Sequence, residues 1–393
     1  MRFATSNGTV NPASERPPWS DHELDALRTL VRDFLAAEAV PRLEAWDAQH
    51  HVDRDFWNRA GELGLLCAGI PEEYGGGGGN FKHETVIVEE QSRAMITGWG
   101  NQVHSGIVAH YILAYGTEEQ KRRWLPAMAR GELVAAIAMT EPSAGSDLKR
   151  IRTRARADGD TYVLNGSKTF ISNGLLADLV VVVAVTDPNA GTRGISLIVA
   201  ETRELAGFSR SSAPPKIGMQ AQDTTGLFFD EVRVPANNLL GGIEGRGFGQ
   251  LMEQLPAERL TIAVQSIGAV ERALSETIAY TKEREAFGGH LFDFQNTRFK
   301  LAECHTSWRI ARTFLDKCIE EQSEGHLDPT TAAMAKWWCT ELQGTVIDQC
   351  VQLHGGYGYM LEYPIARLYV DARAQRIYGG ANELMKELVA RSL

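Results

Sequence analysis

A polar turn, Thr140-Glu141-Pro142-Ser143-Ala144-Gly145-Ser146-Asp147, follows the small-residue run Ala135-Ala136-Ile137-Ala138-Met139 and opens a strand-rich stretch. Its hydroxyls and free backbone N–H groups, set beside strand ends, could donate to an anion or to a planar cofactor rich in hydrogen-bonding atoms. The same composition is also that of an ordinary surface turn. Asp158-Gly159, Asn165-Gly166 and Asn173-Gly174 punctuate the residues that follow, and each pair can supply the positive φ of a tight reversal. The run Gly75 to Gly79 lacks the Gly-Lys-Ser/Thr that would make it a phosphate cradle, and reads as a flexible loop. The five cysteines (Cys67, Cys304, Cys318, Cys339 and Cys350) contain no C-x-x-C pair and are expected to be reduced packing residues.

Residues 1–18 read as a flexible tail. Ser20-Asp21-His22-Glu23 reads as a capping box that starts a helix. Leu24, Leu27, Leu30, Val31, Phe34 and Leu35 then form one apolar helical face until Pro41 interrupts it. A second helix is expected from about Arg54 to Leu65. Helical patterns resume from Glu84 to Met128, with breaks near Thr97-Gly98 and Tyr115-Gly116. Leu179 to Val185 and Ile195 to Ala200 are apolar, β-branched runs, and Leu227 to Val234 reads as a last strand closed by Pro235. Long helices are predicted at about Phe248–Arg284, Phe294–Gln322, Pro329–Leu353, Ile365–Tyr378 and Asn382–Ser392. The predicted class is α+β: an N-terminal helical domain over 19–133, a small antiparallel β domain over 134–240, and a C-terminal helical bundle over 241–393.

A chain of 393 residues with 44% hydrophobic content can bury large cores. Its net charge of -10 argues against nucleic acid as a partner. No apolar run is long enough to insert in a membrane, and Met1-Arg2-Phe3-Ala4-Thr5 lacks the apolar core of a secretory signal, so a cytoplasmic location is expected.

Five further stretches make the reading specific. They are Met139 to Asp147, Asn165 to Gly174, Arg284-Glu-Ala-Phe-Gly288, Gln352-Leu-His-Gly-Gly-Tyr-Gly358 and Arg376-Ile-Tyr-Gly-Gly-Ala-Asn-Glu383. In these, and in their order, the sequence resembles the acyl-CoA dehydrogenase family over nearly its full length. It is most like the long-chain type, through Ala221 to Phe229, Leu255 to Leu260 and most of Met334 to Arg391.

The resemblance implies bound FAD and the oxidation of an acyl-CoA to its trans-2-enoyl product. A carboxylate takes the α proton while the flavin N5 atom accepts the β hydrogen as hydride, so an aimed base and donors to the developing enolate are needed. The commoner family pattern puts the base directly after the tyrosine matching Tyr378, where this chain has Gly379. The long-chain and isovaleryl types carry it at the position matching Glu258, which is therefore the expected base. Gly379 would leave room for that carboxylate and offer its N–H to the thioester oxygen. Without the family, Glu258 would read as a solvated helix glutamate, as Glu253 and Glu271 on the same helix do.

For FAD the resemblance implies Met139, Thr140, Ser146, Phe170 and Ser172 around the ring, with Phe170 standing where many relatives have tryptophan. Arg284, Phe287 and Gln295 match residues holding the diphosphate and adenosine across a subunit interface, Gln352, Gly355 and Gly356 match a loop at the other end, and Ala381 and Glu383 match an adenosine-side cap. Ser146, Arg259, Tyr378, Gly379 and Gly380 match the acyl-CoA site. The implied partners are an acyl-CoA substrate, electron-transfer flavoprotein as electron acceptor, and three further copies in a homotetramer. An acyl-CoA oxidase and a flavin- or CoA-binding scaffold without turnover are the alternatives. Gly249 replaces a bulky aromatic of the long-chain type, so the acyl preference stays open.

Overall fold

Asp21, one residue after the expected Ser20 cap, starts the first helix of the computed structural model, which describes residues 16–393. Residues 1–15 of the expected tail lie outside the described residues. The Asp21 carboxylate accepts from Leu24 N–H at 2.9 Å, while the Ser20 hydroxyl turns to Asp25. A charged cap also complements the positive end of the helix. Helix α1 (His22–Phe34) buries Leu24, Val31 and Phe34. Pro41 does not stop the chain as the sequence suggested. A widened π turn at Leu35–Ala39 and a 3-10 turn at Val40–Arg42 absorb its missing N–H, and α2 (Leu43–Gln49) follows.

Helices α3 (Arg54–Glu62), α4 (Phe81–Arg93), α5 (Asn101–Val103), α6 (His110–Tyr115) and α7 (Glu118–Ala129) complete the N-terminal part, with α5 and α6 joined by a π turn at His104–Ala109. The glycine run is not a slack loop. The N–H groups of Gly77, Gly78 and Gly79 bond to the carbonyls of Cys67, Ile70 and Ala68 at 3.2, 2.9 and 2.9 Å. A Cβ on Gly76 would sit 2.2 Å from Ile70 O, so the run is glycine because backbone packs directly on backbone there.

The strands are β1 (Ala135–Ala138), β2 (Arg154–Asp158), β3 (Thr161–Ser172), β4 (Leu179–Val185), β5 (Ile195–Glu201), β6 (Phe208–Arg210) and β7 (Thr224–Pro235). Their sheet is mixed rather than antiparallel, because β4 runs parallel to β1 and, at Val185, to β2. All other pairings in it are antiparallel. The apolar runs of β4 and β5 reflect burial on both faces. Val181, Val183, Leu197 and Val199 pack with Tyr111, Trp124 and Met128 of the helices, while Val180, Val182, Ile198 and Ala200 pack with Leu227 and Phe229 of β7. Asp158-Gly159 reverses the chain between β2 and β3, with Gly159 at φ 63°. Asn165-Gly166 does not: it lies inside β3, where the register with β7 slips, and Gly166 lets the strand pass against Thr153.

Helix α8 (Gly247–Glu283) is the axis of the C-terminal part, and its Leu260, Val264, Ile267, Val270 and Leu274 join the bundle core. A small hairpin, β8 (Glu285–Ala286) and β9 (Gly289–His290), leads to α9 (Gln295–Ser323), α10 (Pro329–His354), α11 (Pro364–Ala372) and α12 (Asn382–Ala390). The helix expected to reach Tyr378 ends at Ala372 and continues only as a 3-10 turn, Arg373–Arg376. Gly379 and Gly380, at φ 64° and 95°, take the chain out of helix immediately afterwards. All five cysteines are buried and free. Among the described residues no helix is long and apolar enough to cross a membrane.

Candidate active site

The turn after β1 is held from beneath. Glu141 N–H and Ala144 O meet at 2.9 Å, and the reciprocal bond closes the turn at 3.1 Å. The Glu141 carboxylate accepts from the N–H groups of Arg152 and Thr153 at 2.7 and 2.9 Å, and from Lys168 Nζ at 2.9 Å. Lys168 is wholly buried and also donates to Met139 O at 3.2 Å and Val183 O at 2.7 Å. Burial opposes ionisation of Glu141, but the Lys168 charge and the Thr153 N–H outweigh it and hold the carboxyl below its usual range. Lys168 was not among the expected site residues. The signal was a lysine four positions from Leu164 on the inward face of β3.

Thr169 N–H donates to Thr140 O at 2.9 Å, which sets Met139 and Thr140 beside Phe170. The β3–β7 register slips again between Lys168 and Ile171, and within that bulge Phe170 has φ 58° and its ring is 71% exposed. A non-glycine residue at positive φ is strained, and such strain with an open aromatic face is typical of a ligand platform. The Thr140 and Ser172 hydroxyls, close by, have no protein partner among the described residues. Ser146 lies farther along the turn and is exposed. Free hydroxyls, an open ring and a rigidly held backbone fit the edge and face of a flavin.

On α8, Glu258 is only 7% exposed. Burial raises its carboxyl to about 7, against smaller opposing effects of the Tyr111 hydroxyl and the Arg259 charge. Tyr111 OH donates to Glu258 Oε1 at 2.9 Å, and burial together with the Glu258 charge keeps that phenol well above its ordinary value, so it remains the donor. Glu271, expected as a solvated helix residue, is also buried and also raised by burial. It differs in having a partner: Arg93 grips it with Nε and Nη2 at 3.1 and 2.9 Å. Glu258 hydrogen-bonds a neutral hydroxyl and makes no ion pair among the described residues, so it is the glutamate left able to exchange a proton. Glu253, by contrast, is exposed and bonded to Tyr115 OH. Arg259 is buried beside Glu258, with Nε lacking a partner among the described residues, as a group awaiting a ligand would be.

The turn carrying Tyr378, Gly379, Gly380 and Ala381 is tied to two helices. Tyr378 OH donates to Gln265 Oε1 at 3.2 Å, Ser266 OH to Gln375 Oε1 at 2.7 Å, and the buried Lys336 to Gly380 O at 2.7 Å and Asn382 Oδ1 at 2.8 Å. A Cβ on Gly379 would lie 2.2 Å from Ile262 Cδ1. The space beside Gly379 is therefore filled by Ile262, one helical turn beyond Glu258, and not by the carboxylate itself as the sequence suggested. The Gly379 N–H has no protein acceptor among the described residues, leaving it free for a carbonyl oxygen.

The remaining expected residues lie elsewhere. Phe287 is 97% exposed at φ 52°, and Arg284, Gln295, Gln352, Gly355 and Gly356 are exposed too. The Arg284 guanidinium lies over the Tyr357 ring at 5.4 Å, joining the hairpin to the Gly355–Tyr359 turn. Glu383 is exposed in the first turn of α12. Arg284 caps the far end of α8, and the helical rise puts it about 39 Å from Glu258.

Comparison with known proteins identifies the family. Models of the N-terminal, middle and C-terminal domains of acyl-CoA dehydrogenase match residues 21–132, 136–232 and 245–393. The chain belongs to the acyl-CoA dehydrogenase family. It is 49% identical to the mitochondrial long-chain specific acyl-CoA dehydrogenase of Rattus norvegicus, covering 94% of this chain and 86% of that protein. It superposes on a solved acyl-CoA dehydrogenase from Geobacillus kaustophilus with TM-score 0.93 and 47% identity, covering 96% of this chain and 99% of that one. A chain in a structure described as an electron transferring flavoprotein of Acidaminococcus fermentans superposes with TM-score 0.90 at 36% identity, over 95% and 98% of the two chains. As a member of the acyl-CoA dehydrogenase family, this protein is an FAD-dependent oxidoreductase acting on the CH–CH bond of acyl-CoA thioesters.

Proposed function

We propose that Glu258 is the base that removes the α proton of an acyl-CoA, giving the trans-2-enoyl thioester. The observation behind this is a buried carboxyl near neutrality with no cationic clamp. A carboxylate poised there is basic enough to take a weakly acidic proton yet still ionised at working pH. Bound FAD supplies the acceptor for the β hydrogen. Gly379 N–H receives the thioester oxygen, Arg259 lines the same channel, and Ser146, Tyr378 and Gly380 border the acyl-CoA. Met139, Thr140, Phe170 and Ser172 hold and cover the ring, with the Glu141–Lys168 pair fixing the backbone beneath them. Anaerobic mixing with acyl-CoA tests the reading: prompt bleaching of the flavin is expected, and a flavin that stays oxidised with every chain length would reduce the protein to a binding scaffold. Slow recolouring in air distinguishes a dehydrogenase serving an electron-transfer flavoprotein, which is the acceptor we propose, from an oxidase. We propose the cytoplasm as the place of the reaction.

Tyr111 tunes the base. Its hydroxyl lowers the Glu258 pKa, so Tyr111→Phe should raise it and move the acid limb of the kcat/KM–pH profile upward. The variant is then several-fold slower on the acid side and close to wild type on the alkaline plateau. An unmoved limb would remove Tyr111 from this role.

Separation along α8 argues for an oligomer. Arg284, Phe287, Gln295, Gln352, Gly355 and Gly356 stand too far from Glu258 to serve the same FAD with residues of one chain, so they serve the FAD of a second copy, in a homotetramer. Ala381 and Glu383 cap the adenosine side. Arg284→Ala should weaken FAD retention roughly tenfold or more by deleting a forked donor to the diphosphate. Flavin content after gel filtration measures this, and full retention would count against the assignment.

A further inference from the structure

Beyond Glu258 along α8 lies a partly open cavity of about 20 Å³, bordered by Leu65 and Ala68, α4, the Asn101–Gly106 segment and α8. Thr261 and Val264 line it from α8. The helical rise puts them about 4.5 and 9 Å past the carboxylate, the direction and reach of an acyl tail. Hydrocarbon alone would require apolar walls, and Ile87, Val88 and Leu65 supply some. Ala68, Phe81 and Val264 add to these, but polar side chains break the apolar wall. Thr85 Oγ1 is buried with no partner among the described residues, although a helical threonine ordinarily bonds back to its own helix. Gln102 Nε2 is a second buried donor without a partner. The Glu84 carboxylate, bonded to His110 Nε2 at 2.6 Å, forms part of the same wall. Asn101 and Ser105, also in the lining, satisfy one another and are not open to a ligand. The volume suits a single oxygen-sized group.

We propose that this cavity selects acyl groups carrying a hydroxyl a few methylenes beyond the reacting carbons. The inference rests on the dehydrogenase reading and narrows its substrate class. The hydroxyl oxygen accepts from Gln102 N–H and its proton goes to Thr85 Oγ1 or to the Glu84 carboxylate. An unsubstituted chain leaves both buried groups unpaired, and the Glu84 charge turns away a chain ending in carboxylate.

The test is single-turnover bleaching of the holoenzyme by three straight-chain CoA thioesters of equal length: plain, hydroxylated at successive carbons, and ω-carboxylated. At one hydroxyl position kcat/KM should exceed that of the plain chain by roughly ten- to a hundredfold, with the carboxylated chain poorest. In Thr85→Val/Gln102→Leu that preference should collapse to about twofold or less. A wild-type enzyme that uses the plain chain as well as every hydroxylated one overturns the proposal, the two groups then sharing a buried water. Preference for the carboxylated chain overturns it as well. Bleaching by the plain chain shows that the dehydrogenase reading survives even where this inference fails, whereas no bleaching by any thioester sinks both.

Discussion

Glu258→Gln should keep its fold and its flavin and lose dehydrogenation by about a thousandfold or more, the contribution expected of a positioned general base. The amide matches the carboxylate in shape and still offers an oxygen to Tyr111 OH, so the local packing is preserved. What is lost is a group able to take a proton. With Glu258 as the proposed base the ionised form is the active one, and burial raises its pKa to about 7, so kcat/KM should fall with decreasing pH below about 7 and level off above it. The amide has no such titration, and its residual rate should be flat across that range. Flavin absorbance, anaerobic bleaching rate and a pH profile measure the three parts. Retention of more than about a tenth of the activity would exclude Glu258 as the base. Glu271→Gln is the matched control on the same helix. It breaks a buried contact with Arg93 and should lower stability without removing the acid limb, since Glu271 is committed to its arginine.

Lys168→Met should lower the unfolding free energy of the holoenzyme by about 3–5 kcal/mol, the usual consequence of deleting one member of a buried ion pair. Methionine fills a similar volume but cannot donate. The Glu141 carboxylate would keep its two backbone N–H partners and lose its one counter-charge among the described residues, while Met139 O and Val183 O would lose a donor. Because that lysine fixes the backbone of Met139 and Glu141, flavin retention should fall together with stability. Denaturant unfolding followed by protein and flavin signals reads both. A midpoint within experimental error of wild type would mean that the pair is not what secures the turn.

Local rules carried far along this chain. The apolar β-branched runs placed β4 and β5, and the helical periodicity placed α8, α9 and α10 to within a residue or two, whereas Glu258 was singled out by the family resemblance alone. Departures occurred where a distant contact overrode a local preference. Gly75 to Gly79 looked slack because glycine permits freedom, but Cys67, Ala68 and Ile70 use that freedom for close backbone packing. Asn165-Gly166 looked like a turn because it favours positive φ, yet pairing with β7 on both sides keeps it in a strand with a register slip. Ser20 lost the cap to its neighbour Asp21 by a choice too fine for composition to decide.

The candidate site divides in the same way. Residue types and order alone determined a three-part helical, β and helical chain of the acyl-CoA dehydrogenase kind, with a glycine at 379 and a glutamate at 258. Only the tertiary structure decided that Glu271, and not Glu258, is gripped in an ion pair among the described residues, since Arg93 reaches Glu271 from another helix and the Tyr111 hydroxyl reaches Glu258 from 147 positions away. Only it decided that Ile262 fills the space beside Gly379, and that Thr85 and Gln102 share one cavity without partners. The reason is physical: backbone preferences and periodicity act over a few residues, whereas desolvation and charge pairing depend on which segments the fold brings within a few ångströms.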